Sequence, residues 1–241
     1  MSDILYIVMP AYNESANIMA TLAEWYPIVE RLGNHCRLVT VNDGSRDNTL
    51  ELMQKFAEQH PQFVPLDKAN SGHGGTVLYA YRYALQSGAD WIFQTDTDGQ
   101  TRPNEFWQFW EQRHEYDMSI GNRTEREDGF SRIVVTRILR LVIQLRFGVY
   151  IPDANTPFRL MSAQSLRENI MLVPDDFNLT NVLLSVIYMK KHQRVCFIPI
   201  TFRPRQGGNN SINLKNIFAI GKRALKDFKI LIIKIDQNIS A

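Results

Sequence analysis

Trp91-Ile92-Phe93-Gln94-Thr95-Asp96-Thr97-Asp98-Gly99-Gln100 sets a mostly apolar run directly ahead of two carboxylates and a glycine turn. A short run of this kind, stopped by a turn, reads as a buried strand leaving a sheet. The same pattern occurs three times upstream. Ile4 to Met9 gives way to Pro10-Ala11-Tyr12-Asn13-Glu14-Ser15, and Arg37 to Val41 gives way to Asn42-Asp43-Gly44-Ser45-Arg46-Asp47-Asn48. Phe63-Val64-Pro65-Leu66 precedes Asn70-Ser71-Gly72-His73-Gly74-Gly75. Helices are expected after these three loops: Ala16 to about Leu32, capped near Asn13 or Ser15; Thr49 to Gln59; and Gly72 to Ser87.

The alternation β-α-β-α-β-α-β predicts an α/β fold with a mostly parallel, doubly wound sheet flanked by helices. Ligands of such sheets bind outside the carboxyl ends of the strands. The four loops therefore gather on one rim and make one site. Further along, Met118-Ser119-Ile120-Gly121-Asn122 reads as a strand and its exit loop. Helices are expected over Ser131 to Phe147 and Leu179 to Lys190, a strand over Val195 to Phe202, and a long amphipathic helix over Leu214 to Ile235. Internal repeats and low-complexity linkers are absent from the sequence, so its 241 residues read as a single domain.

Composition removes several classes. A net charge of +2 gives no global field for nucleic acid, and no nucleic-acid partner is expected. No apolar run approaches the roughly 18 residues that span a bilayer, and the N-terminus does not read as a signal peptide. Cys36 and Cys196 have no metal-site spacing and read as ordinary buried thiols in a reducing, cytoplasmic compartment.

Asp96 and Asp98 lie two residues apart after a strand, where both can face one hard cation. Mg²⁺ and Mn²⁺ take oxygen ligands and bridge carboxylates to phosphates, offsetting charge on a departing diphosphate. By itself an Asp-x-Asp is also compatible with a solvated turn. Asp43 can accept hydrogen bonds from a base or ribose, or serve an Asx turn. Tyr12 can stack on a base or pack in the core, and Glu14 can act as a charge at a helix start. The loop at Gly72 can cradle phosphate on backbone N–H groups, but it lacks both the P-loop lysine and the dinucleotide spacing. His73 and His114 read as surface or loop residues.

Taken in order, Pro10-Ala11-Tyr12-Asn13-Glu14, Asn42 to Thr49, Asn70-Ser71-Gly72-His73-Gly74 and Asp96-Thr97-Asp98-Gly99-Gln100 with Pro103 resemble the motifs of family 2 glycosyltransferases. The resemblance implies the GT-A fold and an inverting single displacement that uses a divalent metal. It implies a nucleotide-sugar half over 1–103, an acceptor half over 104–212 and the amphipathic helix over 213–241. Pro10, Ala11, Tyr12, Glu14, Asp43, Gly72, Asp96 and Thr97 would line the nucleotide, and Asp96, Asp98 and Gln100 would hold Mg²⁺ or Mn²⁺. The donor would be a UDP- or GDP-linked sugar.

A narrower resemblance is to dolichyl- and polyprenyl-phosphate sugar synthases. It rests on Gly121-Asn122-Arg123, Arg132-Ile133-Val134-Val135-Thr136, Asp153 to Arg159, and Arg203 to Ser211. Pro157 stands where that group has glycine, and Ile212 stands in place of a lysine. By this likeness Arg123, Arg132, Thr136, Arg159 and Arg205 would hold a lipid-phosphate acceptor. Asp98, Arg123, Arg132, Asp153 and Asp176 form the catalytic set. Asp153 would orient Arg159 or its own loop. A phosphate nucleophile is already anionic and needs no base, whereas a sugar hydroxyl does. Asp175 or Asp176, at a helix entrance, would be that base.

Charge patterning agrees with a lipid-linked acceptor. Between Gly129 and Pro152 there are four arginines, Arg132, Arg137, Arg140 and Arg146, and no acid. Lys215, Lys222, Lys226 and Lys229 share one face of the last helix. Such helices can lie peripherally in an anionic membrane interface or pack on the sheet with basic outer faces. Two rivals stay open: a transferase acting on a saccharide in surface-polysaccharide assembly, and a non-catalytic nucleotide-sugar-binding module. A separate membrane subunit or a homo-oligomer is also left open.

Overall fold

The structure, a computed structural model, describes residues 3–126 and 130–204, with side chains described for 3–123 and 136–204. The expected helix at 214–235, and Arg205 with it, lie outside the described residues. Seven strands form one sheet: β1 (Leu5–Ala11), β2 (Arg37–Asp43), β3 (Phe63–Lys68), β4 (Trp91–Gln94), β5 (Met118–Arg126), β6 (Arg159–Ser162) and β7 (Val195–Phe202). Their order across the sheet is β3-β2-β1-β4-β6-β5-β7. Pairing is parallel except for β6, which runs antiparallel to β4 and β5. The helices are α1 (Ile18–Leu32), α2 (Thr49–Ala57), α3 (Gly72–Gln86), α4 (Phe106–Glu111), α5 (Phe130–Phe147), α6 (Ala163–Ile170) and α7 (Thr180–Lys190).

The central strand shows why the sheet is covered on both faces. All seven residues of β1 are buried, and they alternate between two cores. Leu5, Ile7 and Met9 pack with residues of α1, α2 and α4, whereas Tyr6 and Val8 pack with residues of α3, α5, α6 and α7. Side chains alternate across a strand, so a wholly apolar strand needs helices on both sides. On one face, α1 buries Ile18, Leu22, Trp25 and Val29 along one stripe. An aromatic cluster then joins the sheet to α4. The Phe93 and Phe158 rings meet at 4.7 Å and 90°, and Phe93 also meets Trp25, Phe106 and Phe109. Edge-to-face pairs add about 0.5–1.5 kcal/mol beyond area burial.

Several local expectations are corrected. Asn122 and Arg123 belong to β5, which continues to Arg126, and not to an exit loop. The residue before α1 is Asn17, with no side-chain cap on the helix. Asn13 instead takes a left-handed φ of 54° and serves the neighbouring loop. The sequence reading omitted β6, α4 and α6. Cys36 and Cys196 are free thiols.

Candidate active site

One side of the rim is assembled by hydrogen bonds between loops. Asn13 N–H donates to Ser45 Oγ at 3.0 Å, Arg46 N–H donates to Asn13 Oδ1 at 2.8 Å, and Glu14 N–H donates to Thr49 Oγ1 at 2.9 Å. These bonds lace the loop after β1 to the loop after β2. Glu14 is buried, and its carboxylate accepts from Asn17 Nδ2 at 2.8 Å. Pro10 and Ala11 end β1 in register with Val41 and Asn42, and Tyr12 is half-buried beyond them.

Asp43 is buried at the end of β2. It pairs with Lys68 at the end of β3 and accepts from the Ser71 N–H at 2.9 Å. Burial alone would raise its pKa. The Lys68 ammonium and the Ser71 N–H outweigh that effect and hold it below the ordinary carboxylate value. The loop opening α3 is held against the start of α7. A Cβ at Gly74 would lie 2.2 Å from the Phe177 carbonyl oxygen, so only glycine allows this approach.

The turn after β4 is fixed from its middle. Thr97 is buried; its Oγ1 donates to the Pro10 carbonyl at 3.0 Å, and its carbonyl accepts from Thr21 Oγ1 at 3.1 Å. Asp96 and Asp98, on either side of Thr97, remain partly exposed. Gly99 turns the chain at a φ of 71°, and the Gln100 N–H donates to Asp98 Oδ1 at 3.1 Å. His73 Nε2 lies 3.3 Å from Asp96 Oδ1. Desolvation works against a charged imidazole there, but Asp96, Asp98 and Asp43 outweigh it and raise the His73 pKa.

The facing side of the rim carries Arg123. Nε donates to Asp153 Oδ2 at 2.6 Å and Nη2 to Asp153 Oδ1 at 2.8 Å, while the guanidinium lies 5.0 Å from the Phe202 ring centroid. Gln94 and Ile120 both pair with Arg159 across β6. Asp96 lies two residues beyond the first, past the end of β4, and Arg123 three beyond the second, still within β5, so both stand toward the same edge of the sheet. Their strands are two strand spacings apart, about 10 Å.

The site's loop sequences are those of a known family, since residues 6–170 match Glycosyl transferase family 2. The chain belongs to that family. Among its curated relatives, the undecaprenyl-phosphate 4-deoxy-4-formamido-L-arabinose transferase of Pseudomonas aeruginosa is 31% identical over 154 residues, covering 63% of this chain and 44% of the relative. The dolichyl-phosphate beta-glucosyltransferase ALG5C of Trichomonas vaginalis is 37% identical over 105 residues, covering 41% of this chain and 30% of the relative. The chain thus spans under half the length of these curated relatives. In fold it is similar to glucosyl-3-phosphoglycerate synthase from Mycobacterium tuberculosis, solved with Mn²⁺, UDP-glucose and phosphoglyceric acid. That likeness has a TM-score of 0.69 at 15% identity and covers 95% of this chain and 80% of the other. The architecture is the GT-A type expected from the sequence.

Within this family 2 chain, the structure brings together Pro10, Ala11, Tyr12, Glu14, Asp43, Gly72, Asp96, Thr97, Asp98 and Gln100 at the strand ends, with Arg123 and Asp153 on the same rim. Asp153 pairs with Arg123 through both carboxylate oxygens. Arg159 is fully buried. All five of its N–H groups are used, on the carbonyls of Ala154, Thr156 and Asn181 and on Ser185 Oγ. This arrangement removes Arg159 from direct acceptor contact and makes it the support of the 154–158 loop. Arg132 lies on α5 with its side chain outside the described residues, and Thr136 is half-buried one turn further on. Asp175 pairs with Arg82 on the surface, and Asp176 is exposed.

Two residues of the site escaped the sequence reading. Lys68 and Arg203 are cations at the ends of β3 and β7, and rim position was the signal available for both. Among the described residues, no three His, Cys, Asp or Glu side chains gather about one point. Two carboxylates beside a diphosphate are nonetheless the usual protein share of a Mg²⁺ site, so the Asp96/Asp98 turn fits such an ion. Gln100 is buried, and its Nε2 donates to the Arg203 carbonyl at 3.1 Å. The oxygen is left as that side chain's acceptor.

Proposed function

We propose that the chain is an inverting, divalent-metal-dependent glycosyltransferase that moves a hexose from a UDP- or GDP-sugar to a dolichyl or undecaprenyl phosphate at a membrane face. The observation that carries this reading is Arg123 of β5, forked onto the buried Asp153 two strands away from β4, whose end carries the Asp96/Asp98 turn. A guanidinium fixed in this way presents its remaining donors to a phosphate in one orientation. The names of the curated relatives agree with such an acceptor. In this reading the nucleotide-sugar half spans 1–103 and the acceptor half 104–212.

An acceptor phosphate oxygen attacks the anomeric carbon on the face opposite the diphosphate. The new carbon–oxygen bond forms as the bond to the diphosphate breaks, and the configuration inverts. Arg123, with Arg132, Thr136 and Arg205, holds the attacking phosphate. Asp43, Tyr12 and Glu14 hold the nucleoside, and the loop at Gly72 faces the phosphates. Asp96, Asp98 and Gln100 would hold Mg²⁺ or Mn²⁺, which would supply positive charge to the leaving diphosphate. No carboxylate base is needed, because the nucleophile is already anionic. The exposed positions of Asp175 and Asp176 agree with that.

Membrane contact has its own support. On α5, Ile138, Leu141 and Leu145 are 57%, 56% and 76% exposed, beside the exposed Arg137 and Arg146. No helix among the described residues is long and apolar enough to cross a membrane. The reading is tested by offering the protein undecaprenyl or dolichyl phosphate with labelled UDP- and GDP-sugars. A lipid-soluble product is expected, and it should be lost with EDTA and in Asp98→Ala. Absence of lipid product with every donor overturns the acceptor assignment, and label on a saccharide would put the polysaccharide reading in its place.

A further inference from the structure

The three residues at the end of β7 each grip a different part of the site. The Thr201 N–H and Oγ1 donate to Glu105 Oε1 at 2.9 and 2.7 Å, just behind the Asp96–Gln100 turn. The Phe202 ring lies under the Arg123 guanidinium. Arg203 grips the turn itself. Its backbone N–H donates to the Gln100 carbonyl at 3.0 Å, its Nε donates to the Gly99 carbonyl at 2.5 Å, and its Nη2 pairs with Glu24 on α1.

The Gly99 carbonyl and the Gln100 N–H belong to one peptide unit. That unit is planar and trans, so the two groups point in opposite directions and turn together. One end is held by Arg203 Nε, and the other donates to Asp98 Oδ1. Setting this plane therefore sets the rotamer of Asp98, and Glu24 fixes the guanidinium that sets the plane. We propose that Arg203 is a positioning residue that aims the Asp98 carboxylate at the donor's metal through the Gly99–Gln100 peptide, with Glu24 as its anchor. This inference rests on the metal reading of Asp96 and Asp98 given above.

The test is Mn²⁺ titration followed by the electron paramagnetic resonance of the free ion, with UDP and, separately, GDP present, and with no acceptor or turnover. Arg203→Ala removes the two side-chain contacts and keeps the backbone ones. Nucleotide-dependent Mn²⁺ affinity should fall roughly tenfold or more, as for other residues that orient a metal ligand. Nucleotide binding without metal should stay at the wild-type level, which a general loosening of the fold would not permit. Glu24→Ala should weaken Mn²⁺ binding in the same direction by less. Wild-type Mn²⁺ affinity in folded Arg203→Ala overturns the proposal. Should that variant fail to fold, Arg203→Lys decides, because an ammonium cannot reproduce the two-pronged grip; wild-type affinity there overturns it equally. If wild-type protein and Asp98→Ala bind Mn²⁺ alike, the metal reading itself falls, and this inference with it.

Discussion

Asp153 holds Arg123 by both carboxylate oxygens, at 2.6 and 2.8 Å, and each side chain is largely withdrawn from solvent. In the proposed reading the pair lies on the acceptor side of the rim and the Asp96/Asp98 turn on the donor side. Asp153→Asn keeps the shape and removes the charge that fixes the guanidinium. Its acceptor KM should rise by about tenfold or more, equivalent to at least ~1.4 kcal/mol, with nucleotide affinity unchanged. Steady-state kinetics with lipid phosphate varied, beside calorimetric nucleotide binding, checks the split; a rise confined to the donor KM would count against the assignment.

Asp43 gives a pH prediction. Its folded pKa lies below the unfolded value, so its contribution to stability is present at neutral pH and is lost as pH falls through the folded pKa, below about 3.9. In Lys68→Met, burial is opposed chiefly by the Ser71 N–H, and the Asp43 pKa should rise. Nucleotide binding by the wild-type protein should be level between pH 7 and pH 5, and by Lys68→Met it should decline over that interval. Identical profiles would show that Lys68 does not keep Asp43 ionised.

Arg159 should behave as a structural residue. Arg159→Met removes both donors of the Thr156 carbonyl in a buried setting, whereas the carbonyls of Ala154 and Asn181 still face Ser185 Oγ. An unsatisfied buried group costs about 1–3 kcal/mol, so urea denaturation should show a loss of at least ~1 kcal/mol. Protein that remains folded should keep its acceptor KM. A raised acceptor KM at wild-type stability would return Arg159 to the acceptor site.

The exposed stripe on α5 should contact lipid. Leu141→Ser with Leu145→Ser removes apolar area that is already in solvent, so the melting temperature should hold while flotation with anionic liposomes declines. Equal flotation of variant and wild type would assign membrane contact to another surface.

Much of this architecture was legible in the chain. Four apolar runs, each stopped by a polar loop, specify the parallel half of the sheet and its rim, and burial of β1, β2 and β4 accounts for the most apolar of them. What escaped is short or distant in sequence. β6 has four residues, Arg159–Ser162, too few to show alternation. The aromatic run Phe106–Glu111 forms a helix through packing against Phe93 and Phe158, not through propensity. The partners of Asp43, Asp153 and Gly99 lie 25, 30 and 104 residues away, and local spacing does not carry pairings of that range.

The reversed direction of β6 has a geometric consequence for the rim. In a uniformly parallel sheet, the chain entering that strand would arrive from the edge remote from the ligand. Here Arg159 opens β6 level with Gln94, the last residue of β4, so the segment leading into it is delivered to the ligand edge. One inverted strand thus gives the catalytic edge an additional loop, the one bearing Asp153. That loop is thereby hung from an antiparallel strand, whereas the other loops of the rim follow parallel ones.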